Sequence, residues 1–166
     1  MSAATLMAYF THYGVLIIFL VIFLEHLNLP GFPAGLIMPL AGIWVAKSGG
    51  SLLIVILISI VAGALGSCIL YLIGRLGGDR VLNFINRKFP KYECKINKNI
   101  NMLKKRGSIG VFLSKLIPMI RTISSIPAGM IKIKFFTYII SSTLGIAIWN
   151  SLFISGGYFF GDKMIF

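Results

Sequence analysis

Two long stretches of this chain contain no charged residue, and they limit the folds that the chain can adopt. Residues 51–74 and residues 135–161 are each uncharged, and a helix needs about 20 such residues to cross the hydrocarbon core of a bilayer. Only 12% of the chain is charged and 57% is hydrophobic, whereas roughly a quarter of a soluble domain is charged. Because so few polar groups cannot cover a water-facing surface, the sequence predicts an integral, all-α membrane protein.

The positive charge of the chain is concentrated in one segment. The net charge is +12, and ten of the sixteen Lys and Arg residues lie between Arg75 and Arg106. Apolar segments flank this stretch on both sides, which favours a face against anionic lipid over a nucleic-acid partner. Since cytoplasmic loops carry an excess of Lys and Arg, residues 75–106 are predicted to be cytoplasmic. Residues 80–106 mix apolar and basic residues, which predicts amphipathic helices lying in the plane of the inner surface.

Two further apolar regions, residues 14–46 and residues 107–131, are interrupted by prolines. Proline removes a backbone donor, so a break at membrane depth survives only where protein or a wet cavity surrounds it. In the second region the arm before its first proline has about eleven residues, or roughly 16 Å, which is too short for a core of about 30 Å. Both regions are therefore predicted to be re-entrant hairpins, although ordinary spanning helices with kinks remain the alternative. The predicted breaks are at Pro30, Pro33, Pro39, Pro118 and Pro127.

The two halves of the chain share a pattern that indicates an internal repeat. The outer prolines of each interrupted region are nine residues apart, and both predicted spanning helices end in G-x-x-x-G followed by Asp. Because each unit of one hairpin and one spanning helix crosses the membrane once, successive units must be inverted, as in many secondary transporters. The predicted single membrane domain consists of repeat 1 at about 14–79, a basic connector at about 80–106 and repeat 2 at about 107–162.

Three charged residues inside apolar runs are the candidates for function. Glu25 is the only carboxylate in such a run, and an acid at this depth usually marks an ion or proton pathway. Arg121 follows a proline break, and its planar fork of donors matches a phosphate or a carboxylate. Lys115 reaches the same site only if the backbone bends, and its alternative role is to extend along the lipid to the interface. A structural pair of Glu25 with either cation is a further alternative. The hydroxyl groups that could complete an anion site, or replace broken backbone bonds, belong to Thr122, Ser124 and Ser125.

Several segments resemble signatures of the DedA family, which is also called the VTT or SNARE-associated domain family. "FLEHLNLPGFPAGLIMPLAG" resembles the first signature, and "GALGSCILYLIGRLGG" is similar to the glycine-rich helix pattern of the family. "FLSKLIPMIRTISSIPAGM" and the aromatic and glycine positions downstream of it resemble the second signature. The resemblance covers about residues 20–161.

This resemblance implies a multi-pass protein of the bacterial plasma membrane with two facing re-entrant hairpins. Members are associated with moving undecaprenyl phosphate or phosphatidylethanolamine between leaflets, and some depend on the proton motive force. By position, Glu25 matches the first membrane acid of the family and Arg121 its second arginine. Lys115 stands in place of the first arginine, and Ala34 and Gly35 stand where many members have a second acid.

The resulting hypothesis is a transporter that carries a phosphate-bearing lipid across the bilayer. Arg121 and Lys115 would bind the phosphate, and Glu25 would serve in proton or ion coupling. The expected partners are membrane lipids with anionic or zwitterionic phosphate head groups, with a homo-oligomer left open. No catalytic set, metal-ligand spacing or cofactor motif is visible, so an enzyme, a metal and a cofactor are not expected. The alternatives are a proton-coupled transporter of a small ion or solute, and a non-transporting scaffold in membrane homeostasis.

Overall fold

The computed structural model describes residues 3–27, 37–88, 93–117 and 120–164. Within these residues the secondary structure is helical and contains no β-strand, which confirms the predicted all-α class. Pro30, Pro33 and Pro118, together with Ala34 and Gly35, lie outside the described residues. The helices are α1 (Ala3–His26), α2 (Ile37–Ser48), α3 (Leu52–Lys88), α4 (Glu93–Lys115), α5 (Ile120–Ile123), α6 (Ser125–Met130) and α7 (Phe135–Met164).

Helices α3 and α7 carry the two apolar stretches that are long enough to cross a membrane. These stretches are Leu52–Gly78 and Phe135–Gly161, each of 27 residues, and they correspond to the two uncharged runs of the sequence. At 1.5 Å per residue each is about 40 Å long, which exceeds the hydrocarbon thickness of about 30 Å. Large apolar side chains lie exposed along both helices, as expected for contact with lipid: Leu53, Leu57, Leu65, Ile140, Leu144 and Leu152.

Two glycines with non-helical backbone angles flank most of the basic segment between the two halves. Gly78 in α3 and Gly107 in α4 have φ angles of 46° and 52°, in the left-handed region that favours glycine. After the second bend, the chain packs back on itself, and the amide nitrogen of Asn99 donates a 2.9 Å hydrogen bond to the hydroxyl of Ser114. The part of α3 after Gly78 and the part of α4 before Gly107 therefore run in directions different from those of the apolar parts of the same helices.

Each short helix packs against the long helix of the opposite half at a glycine contact. A Cβ atom built on Gly42 of α2 would overlap the carbonyl oxygen of Ile154 in α7. A Cβ atom built on Gly129 of α6 would likewise overlap the carbonyl oxygen of Tyr71 in α3. Because glycine has no side chain at these points, the two backbones approach closely, as in other helix contacts within membranes. The glycines that face these contacts from the long helices are Gly157 and Gly74.

Two buried apolar clusters surround these contacts. One cluster includes residues of α2 and α7, and the other includes residues of α6 and α3. In a bilayer such clusters stabilise a fold mainly by close packing, since lipid tails are as apolar as the side chains. The first cluster consists of Ile22, Met38, Val45, Val55, Ala62 and Ile154. The second consists of Tyr71, Leu103, Val111, Ala128 and Tyr138.

Pro39 and Pro127 occupy equivalent places in the two short helices. Pro39 is the third residue of α2 and Pro127 is the third residue of α6. Backbone N–H groups in the first turn of a helix have no partner within that helix, so proline is tolerated there. These two prolines therefore lie in the first turns of α2 and α6 rather than in the interior of a longer helix.

Candidate functional site

The candidate site is centred on an ion pair between α1 and α5. Glu25 lies in the last turn of α1, and Arg121 lies in α5, 96 residues later. The Nη2 atom of Arg121 donates to the Oε1 atom of Glu25, and both side chains are almost completely buried. Since a buried charge without a partner is strongly unfavourable, each group serves as the counter-ion that allows the other to be buried.

Lys115 is buried next to this pair and binds three oxygen atoms. Its Nζ atom donates to the hydroxyl of Ser67 at 3.0 Å, to the hydroxyl of Ser125 at 2.9 Å and to the carbonyl oxygen of Arg121 at 2.8 Å. These acceptors come from α3, α6 and α5, so one ammonium group joins three helices to the end of α4. An ammonium group has three donors, and all three have acceptors in this arrangement.

Lys115 and Arg121 lie at one place although they belong to different helices. Helix α4 ends at Lys115, and α5 begins at Ile120. The carbonyl oxygen of Arg121 accepts a second bond of 3.2 Å from the hydroxyl of Ser124, which is buried. The ammonium group of Lys115 and the hydroxyl of Ser124 therefore both bind this one backbone oxygen. The side chain of Thr122 lies outside the described part of the structure.

The ion pair leaves several polar atoms without a partner. Among the described residues, the Nε and Nη1 atoms of Arg121 and the Oε2 atom of Glu25 are buried and accept or donate no hydrogen bond. The guanidinium carbon of Arg121 lies 5.4 Å from the centre of the ring of Trp149, within the range of a cation–π contact. The guanidinium group therefore has one side chain as counter-ion, an aromatic face beside it and two nitrogens able to bind an oxyanion.

Two members of this site, Ser67 and Trp149, were not predicted from the sequence. Ser67 belongs to one of the two uncharged stretches, and Trp149 belongs to the other. The only sequence signal for Ser67 is a hydroxyl within a helix otherwise suited to lipid. Nothing in the sequence indicates that Trp149 faces Arg121, since that contact joins two segments through the tertiary fold.

His26 lies beside Glu25 but is turned towards its own helix. Its ring is buried, and the Nδ1 atom donates a 2.9 Å hydrogen bond to the carbonyl oxygen of Ile22. The ring packs against Gly63 of α3, where a Cβ atom would approach the Nε2 atom within 2.8 Å. This arrangement explains how the imidazole fits between α1 and α3.

Comparison with known protein families shows to which family the chain belongs. The VTT domain matches residues 29–159, which is most of the chain. The chain belongs to the VTT domain family. Lys115 and Arg121 lie inside the matched region of this DedA-type membrane protein, whereas Glu25 lies four residues before it.

Several named proteins of this family resemble the chain in sequence. Undecaprenyl phosphate transporter A of Staphylococcus aureus is 36% identical over 146 residues, which cover 86% of this chain and 71% of that protein. An alkaline phosphatase-like protein of Lactococcus lactis is 31% identical over 81% of this chain and 65% of its own length. Protein DedA of Escherichia coli is 27% identical over 90% of this chain and 71% of its own length.

The VTT-domain chain thus spans between 65% and 71% of the length of these three relatives. No solved structure matches it.

Proposed function

We propose that this VTT-domain protein moves a lipid with a phosphate group from one leaflet of the bacterial plasma membrane to the other. The observation that carries the proposal is the buried guanidinium group of Arg121, which gives one nitrogen to Glu25 and leaves two donors free among the described residues. A planar cation that still has free donors suits the oxygens of a phosphate. Relatives in Staphylococcus aureus and Bacillus subtilis are named undecaprenyl phosphate transporter A, which supports undecaprenyl phosphate as the cargo over phosphatidylethanolamine.

In the proposed mechanism, Glu25 and the lipid phosphate compete for Arg121. When the site is empty, the carboxylate of Glu25 neutralises the guanidinium group, because a single buried cation is unfavourable. A phosphate that enters the site binds the free nitrogens and weakens the ion pair. Glu25 then takes up a proton or is released, which would couple transport to protons or ions. Lys115 adds positive charge and position, and the hydroxyls of Thr122 and Ser125 complete the anion site, whereas the hydroxyl of Ser124 holds the carbonyl oxygen of Arg121.

The architecture we propose for this mechanism is an inverted repeat of two re-entrant hairpins. Repeat 1 at about 14–79 and repeat 2 at about 107–162 would enter from opposite leaflets and meet near the midplane, with the basic connector at about 80–106 between them. The reciprocal glycine contacts, Gly42 against Ile154 and Gly129 against Tyr71, support this arrangement, since each half contributes a short helix to the other. In this arrangement α2 and α6 are the returning arms of the hairpins, which would open a polar path at Arg121.

The proposed orientation places residues 75–106 on the cytoplasmic side of a multi-pass protein. The exposed cations of this segment support it, because Lys and Arg are enriched in cytoplasmic loops. Residues 80–106 would then lie along the inner surface as amphipathic helices, with the bends at Gly78 and Gly107 turning the chain into and out of that plane. The proposal includes no chemical reaction on the lipid, and a homo-oligomer is compatible with it.

The decisive experiment measures lipid exchange between leaflets in vesicles that contain the purified protein. Arg121→Ala and Glu25→Ala are each expected to reduce the rate at least tenfold, since a preorganised charged group at a buried site contributes several kcal/mol. Lys98→Ala, which removes an exposed cation of the basic segment, serves as the matched control and is expected to leave the rate unchanged. Wild-type rates for both site variants would falsify the mechanism, and pH-driven solute uptake without lipid exchange would favour the solute transporter instead.

A further inference from the structure

A second group of cations lies at one membrane face, away from the buried ion pair. Arg75 is near the end of the apolar stretch of α3, three residues before the bend at Gly78. Lys132 and Lys134 directly precede Phe135, where the apolar stretch of α7 begins. The three cationic side chains are exposed. Because the end of one apolar stretch adjoins the start of the other, all three residues lie at the same end of these two helices.

Specific contacts bring the guanidinium group of Arg75 close to the backbone between Lys132 and Lys134. The Nη1 atom of Arg75 donates a 2.6 Å hydrogen bond to the hydroxyl of Tyr71, and that hydroxyl donates to the carbonyl oxygen of Ile133. Ile133 lies between the two lysines in the sequence. The guanidinium group is therefore separated by a single hydroxyl from the backbone that carries both ammonium groups.

The backbone of Lys132 is unusual for a lysine. Its φ angle is 54°, and it is the only non-glycine residue with a positive φ in the part of the chain that the structure describes. Its N–H group bonds to the carbonyl oxygen of Gly129 at 2.9 Å, and that of Ile133 bonds to Ala128 at 3.2 Å, which together close the end of α6. Glycine normally occupies this left-handed position at the end of a helix. A lysine at this position destabilises the backbone conformation. A role for its positive charge would explain why lysine, and not glycine, occupies the position.

An ordered set of contacts connects these cations to the buried site. The ring of Tyr71 stacks on that of Tyr138 at 4.3 Å, and the hydroxyl of Tyr138 donates to the carbonyl oxygen of Ser67 at 3.0 Å. The hydroxyl of Ser67 accepts a hydrogen bond from Lys115. Ser67 and Arg75 are eight residues apart on α3, which corresponds to about 12 Å along the helix. The surface cations and the buried cations are therefore linked along one face of α3. The distance between them is similar to the combined length of a lipid head group and the first part of its acyl or prenyl chain.

We propose that Arg75, Lys132 and Lys134 form a surface site that captures the phosphate of a lipid phosphomonoester before the lipid reaches Arg121. Three neighbouring positive charges repel one another, and an anion placed among them relieves this repulsion. A guanidinium fork with two ammonium groups suits a phosphate with more than one negative charge better than a phosphodiester. The inference rests on the proposed lipid transport and adds to it the site of entry and the preferred head group.

The test measures binding of phosphatidate, a lipid phosphomonoester, to the purified protein by native mass spectrometry, with phosphatidylcholine as the reference lipid. Lys132→Gly is the most informative single variant, because it removes the charge and also relieves the backbone at the end of α6. It is expected to raise the unfolding temperature while it weakens phosphatidate binding. Combined with Arg75→Gln it is expected to weaken that binding about thirtyfold, the effect of two basic groups near an anionic surface.

The matched control replaces two exposed cations of the basic segment, Lys104→Gln with Lys105→Gln. Phosphatidate binding to this control is expected to stay within about twofold of wild type, since exposed cations outside the surface site contribute little to a specific contact. An equal loss in the control and in the site variant would overturn the proposal, because the positive segment would then act as a diffuse surface. Competition by inorganic phosphate as effective as that by phosphatidate would also overturn it, in favour of a site for the free ion.

The two proposals fail in different ways. Arg121→Ala is expected to abolish lipid exchange between leaflets but to retain phosphatidate binding at the surface site. Unchanged phosphatidate binding in Lys132→Gly and in its combination with Arg75→Gln would overturn the surface site alone and leave the transport mechanism intact. Unchanged lipid exchange in both Arg121→Ala and Glu25→Ala would overturn the transport mechanism, whatever the surface variants bind.

Discussion

The ammonium group of Lys115 donates a 2.8 Å hydrogen bond to the carbonyl oxygen of Arg121, so one cation fixes the backbone of the other. The other two donors of Lys115 are bound to Ser67 and Ser125. Arg121, in contrast, has two guanidinium nitrogens without a partner among the described residues. The two cations therefore differ in what they offer a ligand, since Lys115 supplies charge and position whereas Arg121 supplies free donors.

Replacement of Lys115 by methionine tests its positioning role. Lys115→Met keeps a long apolar side chain but removes three charge-assisted hydrogen bonds, so we expect a loss of about 2–3 kcal/mol of stability. Lipid exchange is expected to fall as well, because the carbonyl oxygen of Arg121 loses its anchor. Unfolding by heat in detergent and the vesicle exchange assay measure the two effects. Lys47→Met, at an exposed position in α2, is the control, and a Lys115→Met protein as stable as that control would contradict the prediction.

A double-mutant cycle tests the ion pair of Glu25 and Arg121. Removal of one partner leaves the other charge buried without a counter-ion, so Glu25→Gln and Arg121→Gln are each expected to cost about 3–5 kcal/mol. The double variant is expected to cost less than the sum of the two, because it contains no uncompensated charge. Thermal or denaturant unfolding gives the coupling energy. Strictly additive losses would show that the two side chains do not interact in the membrane.

The glycine contacts between the two halves predict a selective sensitivity to added methyl groups. Gly42→Ala and Gly129→Ala would place a Cβ atom against a backbone carbonyl oxygen of the facing helix, and each is expected to cost about 1–3 kcal/mol. Gly156→Ala is the matched control, since no atom lies within 4 Å of the position that its Cβ would occupy. Because alanine favours a helix over glycine by about 1 kcal/mol, this control is expected to be neutral or more stable than wild type. Equal losses at all three positions would contradict the packing.

Trp149 provides a spectroscopic reporter of the site. The chain has two tryptophans, so Trp44→Phe leaves Trp149 as the only one, with its ring 5.4 Å from the guanidinium carbon of Arg121. An anion that binds Arg121 changes the field on the indole ring, so a lipid phosphomonoester is expected to shift or quench its emission. Arg121→Ala in the same background is expected to remove this response. A response that survives in Arg121→Ala would place the lipid elsewhere.

The spanning segments were the most predictable part of the structure. The uncharged runs at 51–74 and 135–161 correspond to the apolar stretches Leu52–Gly78 and Phe135–Gly161, because hydrocarbon admits few charges and requires internally satisfied backbone. The bend at Gly78 was less predictable. Several glycines occur in α3, and only the packing of the following residues decides which of them adopts a left-handed conformation.

The candidate site was predictable in its members and less so in its geometry. Glu25, Lys115 and Arg121 stood out because each is a charge in an apolar run. Their different hydrogen bonds did not follow from that pattern. Ser67 and Trp149 were missed because a serine or a tryptophan in a spanning helix has several common roles, and only a neighbour in space selects among them.

By itself, the sequence determined that the chain is helical and lies in a membrane. It also identified the charged residues of the candidate site, because apolar segments contain few charges and each of them therefore stands out. The tertiary structure alone decided that Arg121 meets Glu25, that Lys115 holds the backbone beside it, and that Arg75 comes close to the backbone between Lys132 and Lys134. These contacts join residues that are far apart in the chain or separated by a bend. Their geometry depends on how the short helices pack against the long ones, which local sequence patterns do not specify.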